Sequence, residues 1–152
     1  MMYPIEILKK FEQQGGVSVC AGTDADKCLV CPVSWQMEKL LYLPPDLFWF
    51  KGHFPELPVL PGIAQTNWVI EWTLAQEEAL TGRHIDFAGI EVVKFQKPLQ
   101  SDQTVKLLMT WDAQKLLMAF VYLFAGKGCL QAWPQGELRV HSSGKIKFKV
   151  VE

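Results

Sequence analysis

His53 lies in a loop rich in proline, glycine and aromatic residues, and this loop runs directly into a predicted helix at Pro61-Gly62. Imidazole titrates near neutral pH, so His53 is a candidate general base. The first amides of a helix have no intrahelical acceptor and carry a favourable dipole, so those of Gly62 and Ile63 are candidate donors to an oxyanion. One short segment therefore supplies a base and an oxyanion site.

The composition indicates a single domain spanning residues 1–152, with 49% apolar and 20% charged side chains. A net charge of −1 provides no concentrated positive field for nucleic acid. The longest apolar run, residues 116–125, is too short for a membrane span. The N-terminal residues lack the pattern of a secretory signal, so we expect a cytoplasmic protein.

The four cysteines are expected to be reduced and buried in such a protein: Cys20, Cys28, Cys31 and Cys129. Cys28 and Cys31 form one C-x-x-C pair, but no second pair follows it. Two residues three apart in a strand face opposite sides, so we expect no metal site.

The elements that must position His53 and Gly62 can be predicted from periodicity and turn residues. We expect an amphipathic N-terminal helix within residues 1–16 and a long, largely apolar helix over residues 61–80. The predicted strands are residues 17–20, 27–33, 39–43, 87–97, 104–111, 116–124 and 129–141, with residues 142–152 an extra strand or a tail. Long consecutive strands and one buried helix predict an α+β domain with an antiparallel meander wrapped around the helix.

Two motifs resemble those of the 3-hydroxyacyl-acyl-carrier-protein dehydratases. Gly52-His53-Phe54-Pro55, followed by Pro58-Val59-Leu60-Pro61-Gly62, resembles the G-H-F-P-G-x-P-(I/V)-x-P-G signature of that family. Val93-Lys94-Phe95-Gln96-Lys97-Pro98 resembles its V-K-F-x-x-P strand. Residues 43–50 look closer to the small dehydratases of aryl-polyene and polyketide clusters. The resemblance, over residues 38–141, implies a hot-dog fold and a dimer, or higher homo-oligomer, with active sites at the subunit interface.

The resemblance also implies roles for single residues. His53 is the base, the Gly62 amide is the oxyanion donor, and Asn67 stands where the family has a Glu or Asp as the acid. An amide cannot donate that proton. The expected substrate-binding residues are Phe54, Pro61, Ile63, Gln65, Trp68 and Phe95, although Gln65 can equally cap backbone groups and Trp68 can equally belong to the core. Arg83, Lys94 and Lys97 are candidates for a basic rim that meets an acidic carrier.

The function implied is dehydration of a 3-hydroxyacyl thioester, on acyl carrier protein or coenzyme A, to a trans-2-enoyl thioester in fatty acid or polyene-type biosynthesis. No cofactor is expected, because the thioester itself acidifies the α-carbon. Two alternatives remain open because of Asn67. One is a thioesterase that uses Glu56 or Glu71 to activate water, and the other is a non-catalytic acyl-binding subunit.

Overall fold

The computed structural model describes residues 2–14, 33–51 and 59–151. Within them lie six strands and one long helix: β1 (Ile5–Gln14), β2 (Ser34–Leu43), α1 (Gly62–Thr81), β3 (Ile85–Phe95), β4 (Gln103–Asp112), β5 (Leu117–Lys127) and β6 (Arg139–Val150). The strands form one antiparallel sheet in the order β1-β2-β4-β5-β6-β3. No helix of the described ranges has the length and apolarity needed to cross a membrane.

Helix α1 confirms the predicted long helix and packs one face onto the sheet. Its buried positions are Ala64, Gln65, Thr66, Trp68, Val69, Thr73 and Glu77. Ile63 is 70% exposed, so the helix is not buried on all sides as its apolar residues suggested. Gly82 ends the helix in the left-handed conformation (φ 70°), and its N–H donates to the Glu78 carbonyl.

The core lies between α1 and one face of the sheet. The alternation predicted for residues 104–111 is confirmed, because Val105, Leu107, Met109 and Trp111 of β4 are all buried. The neighbouring strands add Met118, Phe120 and Tyr122 from β5 and Ile146 and Phe148 from β6. The sheet therefore presents one apolar surface to the helix.

The helix predicted within residues 1–16 is wrong, because β1 is an edge strand paired with β2. Ile5 pairs with Tyr42 and Leu8 pairs with Leu40, so three residues of β1 match two residues of β2. This bulge places Ile5 and Leu8 on the same face of the sheet. The three-residue spacing of Ile5 and Leu8 therefore reflects a bulge in a strand, whereas Phe11 pairs with Met37 in regular register and faces the other side of the sheet.

The strand predicted over residues 129–141 is also wrong for most of its length, since β6 begins only at Arg139. The Thr104 hydroxyl donates to the Gly128 carbonyl at 2.5 Å and accepts from the Leu130 N–H at 3.0 Å. These bonds lead the chain out of the sheet directly after β5.

The loop of residues 128–138 lies on the outer face of the sheet. The Trp133 ring centroid is 4.7 Å from Lys10 Nζ and 5.7 Å from Lys106 Nζ, which are cation–π distances. Cys129 in this loop is exposed, so its predicted burial is wrong. The other three cysteines, and the strands predicted at 17–20 and 27–33 except for Val33, lie outside the described residues.

Strand β6 takes in most of the segment 142–152, which is therefore neither a separate strand nor a loose tail. It pairs with β5 on one side and with β3 on the other. Consecutive strands are neighbours in the pair β1-β2 and in the run β4-β5-β6, so an uninterrupted meander of three strands covers half of the sheet. β3 crosses over to the far edge, beside β6.

The C-terminal half of α1 is joined to the sheet through a buried carboxyl group. The Trp35 indole N–H donates to Glu77 Oε1 at 3.0 Å, and both side chains are almost fully buried. Glu77 Oε2 has no hydrogen-bond partner among the described residues. Burial raises the pKa of the Glu77 carboxyl, against the opposing effects of the Trp35 N–H and the positive charge of Arg83.

We expect Glu77→Gln to stabilise the protein progressively more as pH rises from about 4.5 to 7. A raised native pKa gives a stabilisation that is complete below the unfolded pKa and is lost as pH rises through the native one. Gln keeps an acceptor for Trp35 and stays neutral. The gain at pH 7 should reach several degrees in Tm, since about 1 kcal/mol corresponds to about 2–4 °C at this size. Circular dichroism melts against the exposed control Glu78→Gln measure it; a difference that does not depend on pH contradicts the prediction.

Candidate active site

The start of α1 leaves two backbone N–H groups without an intrahelical acceptor. The N–H groups of Ala64 and Gln65 both donate to the Pro61 carbonyl, at 3.1 and 3.4 Å. The N–H groups of Gly62 and Ile63 precede these bonds, at the positive end of the helix dipole. The chain reaches this point in a defined position, because the Leu60 N–H donates to the Leu99 carbonyl at 2.7 Å.

Gly62 leaves room for the ring of Phe95. A Cβ atom on Gly62 would lie 2.4 Å from the ring carbon Cζ of Phe95, far inside van der Waals contact. Phe95 is the last residue of β3 and its side chain is 51% exposed. The missing side chain therefore lets an aromatic ring lie directly on the helix start.

A cavity of about 350 Å³ opens beside this helix start. Its lining includes four of the predicted site residues, Pro61, Gly62, Gln65 and Phe95, together with residues 96–98. It also borders the end of the loop that carries the predicted base, at Val59 and Leu60. His53 and Phe54 themselves, like Glu56, lie outside the described residues.

Gln65 is a structural link as well as part of the cavity lining. Its side chain is 2% exposed; Oε1 accepts from the Ser142 hydroxyl at 2.6 Å and Nε2 donates to the Leu60 carbonyl at 3.4 Å. Its backbone carbonyl accepts from the Tyr122 hydroxyl at 2.7 Å. Burial raises the pKa of Tyr122 well above its ordinary value, so this phenol stays protonated as a donor.

Asn67 stands at the position where the family has a carboxylate. It is half-buried on α1, and it is not one of the described residues that line the cavity. It is five residues past Gly62, a rise of about 7.5 Å along the helix. Glu71, one turn further, accepts a hydrogen bond from the Tyr3 hydroxyl, and this bond raises the pKa of the Tyr3 phenol. Glu71 is therefore engaged in holding the N-terminal segment.

The remaining two predicted substrate-binding residues differ in their surroundings. Ile63 is 70% exposed, next to the free amides. Trp68 is 1% exposed and belongs to the core, and its indole N–H donates to the Met2 carbonyl at 3.1 Å. For Trp68 the structure favours the core alternative over contact with substrate.

His141 is a residue near the site that sequence reasoning missed, because it belongs to no motif. It is 5% exposed, and its ring lies edge-on to Phe124 with centroids 5.6 Å apart. The N–H groups of Gln96 and Lys97 donate to its backbone carbonyl at 2.9 and 3.0 Å. Burial lowers the pKa of the His141 imidazole, with a smaller contribution from the charge of Lys97.

Comparison with known proteins shows which family this chain is similar to. Residues 33–133 match the ApeI-like family, described as ApeI dehydratase. The 3-hydroxyacyl-acyl-carrier-protein dehydratase FabZ of Herpetosiphon aurantiacus is 30% identical over 109 residues, which are 68% of this chain and 69% of that protein. FabZ of Roseiflexus sp. is 34% identical over 73 residues, 44% of this chain and 49% of its own length. Alignments with these curated relatives thus span from about half to about two thirds of each.

Solved structures extend the similarity over nearly the whole chain. The dehydratase heterocomplex ApeI:P from Xenorhabdus doucetiae matches with a TM-score of 0.64 and 34% identity, over 97% of this chain and 98% of that one. An uncharacterized protein from Erwinia carotovora subsp. atroseptica matches with a TM-score of 0.69 and 31% identity, over 99% and 98% of the two chains. The predicted hot-dog fold is thereby confirmed, and the chain belongs to the ApeI-like family of dehydratases.

Proposed function

We propose that this chain is a lyase that dehydrates 3-hydroxyacyl thioesters, borne by acyl carrier protein or coenzyme A, to trans-2-enoyl thioesters in fatty acid or polyene-type biosynthesis. The observation that carries the proposal is the pair of free amides at Gly62 and Ile63, which begin α1 beside a cavity. Such amides stabilise an oxyanion, and elimination next to a thioester builds up negative charge on its carbonyl oxygen. The names of the FabZ and ApeI relatives support the same reaction.

The chemistry divides among three groups. His53 removes a proton from the α-carbon, the Gly62 amide holds the resulting enolate oxygen, and the hydroxyl leaves from the β-carbon as the double bond forms. The departing hydroxyl needs a proton to leave as water. Asn67 has no acidic proton to supply, so it orients the hydroxyl, and the imidazolium formed at His53 is the proton donor within this set.

Hydrolysis of the thioester is not favoured by the lining of the cavity. Among the described residues that line it there is no Asp or Glu that can activate water. Glu71, a residue considered for this role, accepts a hydrogen bond from Tyr3.

Replacement of the proposed base tests the central claim. We expect His53→Ala to lower the rate of enoyl thioester formation by at least about 100-fold, the usual contribution of a positioned general base. The assay follows enoyl absorbance with a 3-hydroxyacyl N-acetylcysteamine thioester. His84→Ala, at an exposed histidine between α1 and β3, is the control and should keep wild-type activity. Equal rates for His53→Ala and wild type, or a wild type without enoyl product, would refute the proposal.

Restoring the family carboxyl group tests the role of Asn67. We expect Asn67→Asp to raise kcat at least about tenfold, because a carboxylic acid can protonate the leaving hydroxyl directly. The pH–rate profile should gain a basic limb, since the new acid must be protonated. Gln76→Glu adds a carboxyl group more than two turns along the same helix and should change neither quantity. An unchanged kcat in Asn67→Asp would show that the leaving hydroxyl does not meet this residue.

We further propose that a second copy of the chain pairs with the free edge of β3. Only one edge of this strand is hydrogen-bonded within the described chain, to β6. Four of its large apolar side chains are substantially exposed: Phe87, Ile90, Val92 and Phe95. An open edge with apolar side chains favours pairing with another strand. Phe95 lies on Gly62, so this edge leads directly to the candidate site.

A charge on this edge should prevent the association. We expect wild type to sediment as a dimer at about 10 µM and Ile90→Lys as a monomer, because the lysine would be desolvated in the interface. Ile5→Lys on the opposite edge strand, at a residue of similar exposure (42% against 50%), is the control and should stay dimeric. A wild type that is monomeric by analytical ultracentrifugation would contradict the homodimer. It would favour a different hot-dog subunit, as in the ApeI:P heterocomplex.

A further inference from the structure

One backbone carbonyl group, that of Met2, accepts two indole N–H groups. Trp49 Nε1 donates to it at 2.9 Å and Trp68 Nε1 at 3.1 Å. A carbonyl oxygen has two lone pairs, so it can accept both bonds at once. Trp49 belongs to a short 3-10 helix, Phe48–Phe50, and Trp68 belongs to α1. The Met2 carbonyl therefore links these two helices.

Residues 2–4, here called the N-terminal strap, are held against α1 by a further contact. The Tyr3 hydroxyl donates to Glu71, which lies about one turn beyond Trp68 on the same face of the helix. Pro4 is buried, and its ring fixes the backbone just before β1 begins. The position of the Met2 carbonyl is thus set by its neighbours in the chain as well as by the two indoles.

The start of β1 is joined to this face of the helix by a buried cation. Lys39 of β2 is 6% exposed, forms an ion pair with Glu6, and has its Nζ 4.5 Å from the centroid of the Trp72 ring. A cation in this position is attracted by the ring, and more strongly where water is excluded. The Trp72 ring lies beside that of Trp68, with centroids 6.2 Å apart. The strap therefore continues into a strand that is itself fixed to α1.

The short helix is the last described element before the segment that carries His53. On its other side it is fixed by the core, because Leu47 and Phe50 are buried there and the Phe50 N–H donates to the Leu47 carbonyl at 3.1 Å. His53 follows Trp49 by four residues in the sequence. The bond from Trp49 to the strap therefore acts on the chain just before it reaches the proposed base.

We propose that Trp49 is a positioning residue for the dehydration: through the Met2 carbonyl it fixes the approach to His53 relative to α1, the helix that presents the Gly62 amide. This inference rests on the proposed function, which needs the base and the oxyanion donor at set positions around one thioester. A displacement of about 1 Å between such groups can cost about 100-fold in rate. Trp49 thus acts through His53 and not on the substrate.

Removal of the indole N–H tests this role. We expect Trp49→Phe to lower kcat for the 3-hydroxyacyl N-acetylcysteamine thioester about tenfold and to leave KM unchanged, because the base is displaced while the binding surface remains. Trp133→Phe is the matched control, since the Trp133 ring contacts Lys10 and Lys106 on the outer face of the sheet; it should keep both constants. A raised KM at unchanged kcat would make Trp49 a substrate contact and overturn the inference, as would wild-type values of both.

A double variant tests whether the strap acts as one unit. We expect Tyr3→Phe to lower kcat about threefold, and Tyr3→Phe with Trp49→Phe to lower it about tenfold, no more than Trp49→Phe alone, because both bonds act through one carbonyl. Independent effects would multiply to about thirtyfold and would overturn the strap as the cause. Tyr3 is 46% exposed and Phe keeps its ring, so this variant decides the outcome if Trp49→Phe does not fold.

Histidine NMR separates this inference from the proposed function. The ring signals of His53 are assigned by their absence from His53→Ala. We expect Trp49→Phe to shift them and to leave the signals of His84 in place, whereas Trp133→Phe should shift neither. An inactive wild type in which Trp49→Phe shifts the His53 signals would refute dehydration while supporting the strap. Unshifted His53 signals would refute the positioning role, whatever the activity.

Discussion

The candidate site depends on three buried hydrogen bonds at the start of α1, two of which fasten the helix to the sheet. All three involve Gln65: its side-chain amide links the Leu60 carbonyl to the Ser142 hydroxyl, and its backbone carbonyl accepts from Tyr122. Hydrogen bonds of this kind are strengthened by the low dielectric of the interior, and a partner left alone there would be costly. The direction of the free Gly62 and Ile63 amides is therefore set by the core of the domain.

The two ends of α1 are held by different polar contacts, and they differ in the charge that lies nearby. At the C-terminal half a single carboxyl group, Glu77, receives the Trp35 N–H in a nearly dry environment that raises its pKa. At the N-terminal end the side chain of Gln65 is neutral and hydrogen-bonded, and the described residues that line the cavity there include no Asp or Glu. The one charged side chain among the described residues of this lining is Lys97, a cation whose sign suits an oxyanion at the positive end of the helix dipole.

Residues 95–97, at the end of β3 and directly after it, take part in several of the proposed roles. Phe95 ends the open-edged strand and lies on Gly62, and Lys97 lines the cavity at the start of α1. The backbone N–H groups of Gln96 and Lys97 are bound by the His141 carbonyl, so this segment is tied to β6. Subunit association at β3 and the thioester at Gly62 would then both meet one short stretch of chain.

Local pattern alone determined the long helix, the alternating strand β4 and the motif around Gly62, because each rests on periodicity or on backbone freedom within a few residues. It misjudged β1, where one bulged residue imitates helical spacing, and residues 129–138, where Thr104 draws the chain out of the sheet. Tertiary structure decided the place of β3 beside β6, the two bonds that join Gln65 to Tyr122 and Ser142, and the burial of His141 against Lys97. Each of these joins residues far apart in the chain, such as Gln65 and Ser142, and such contacts leave no periodic signal because they depend on how the strands are ordered in the sheet.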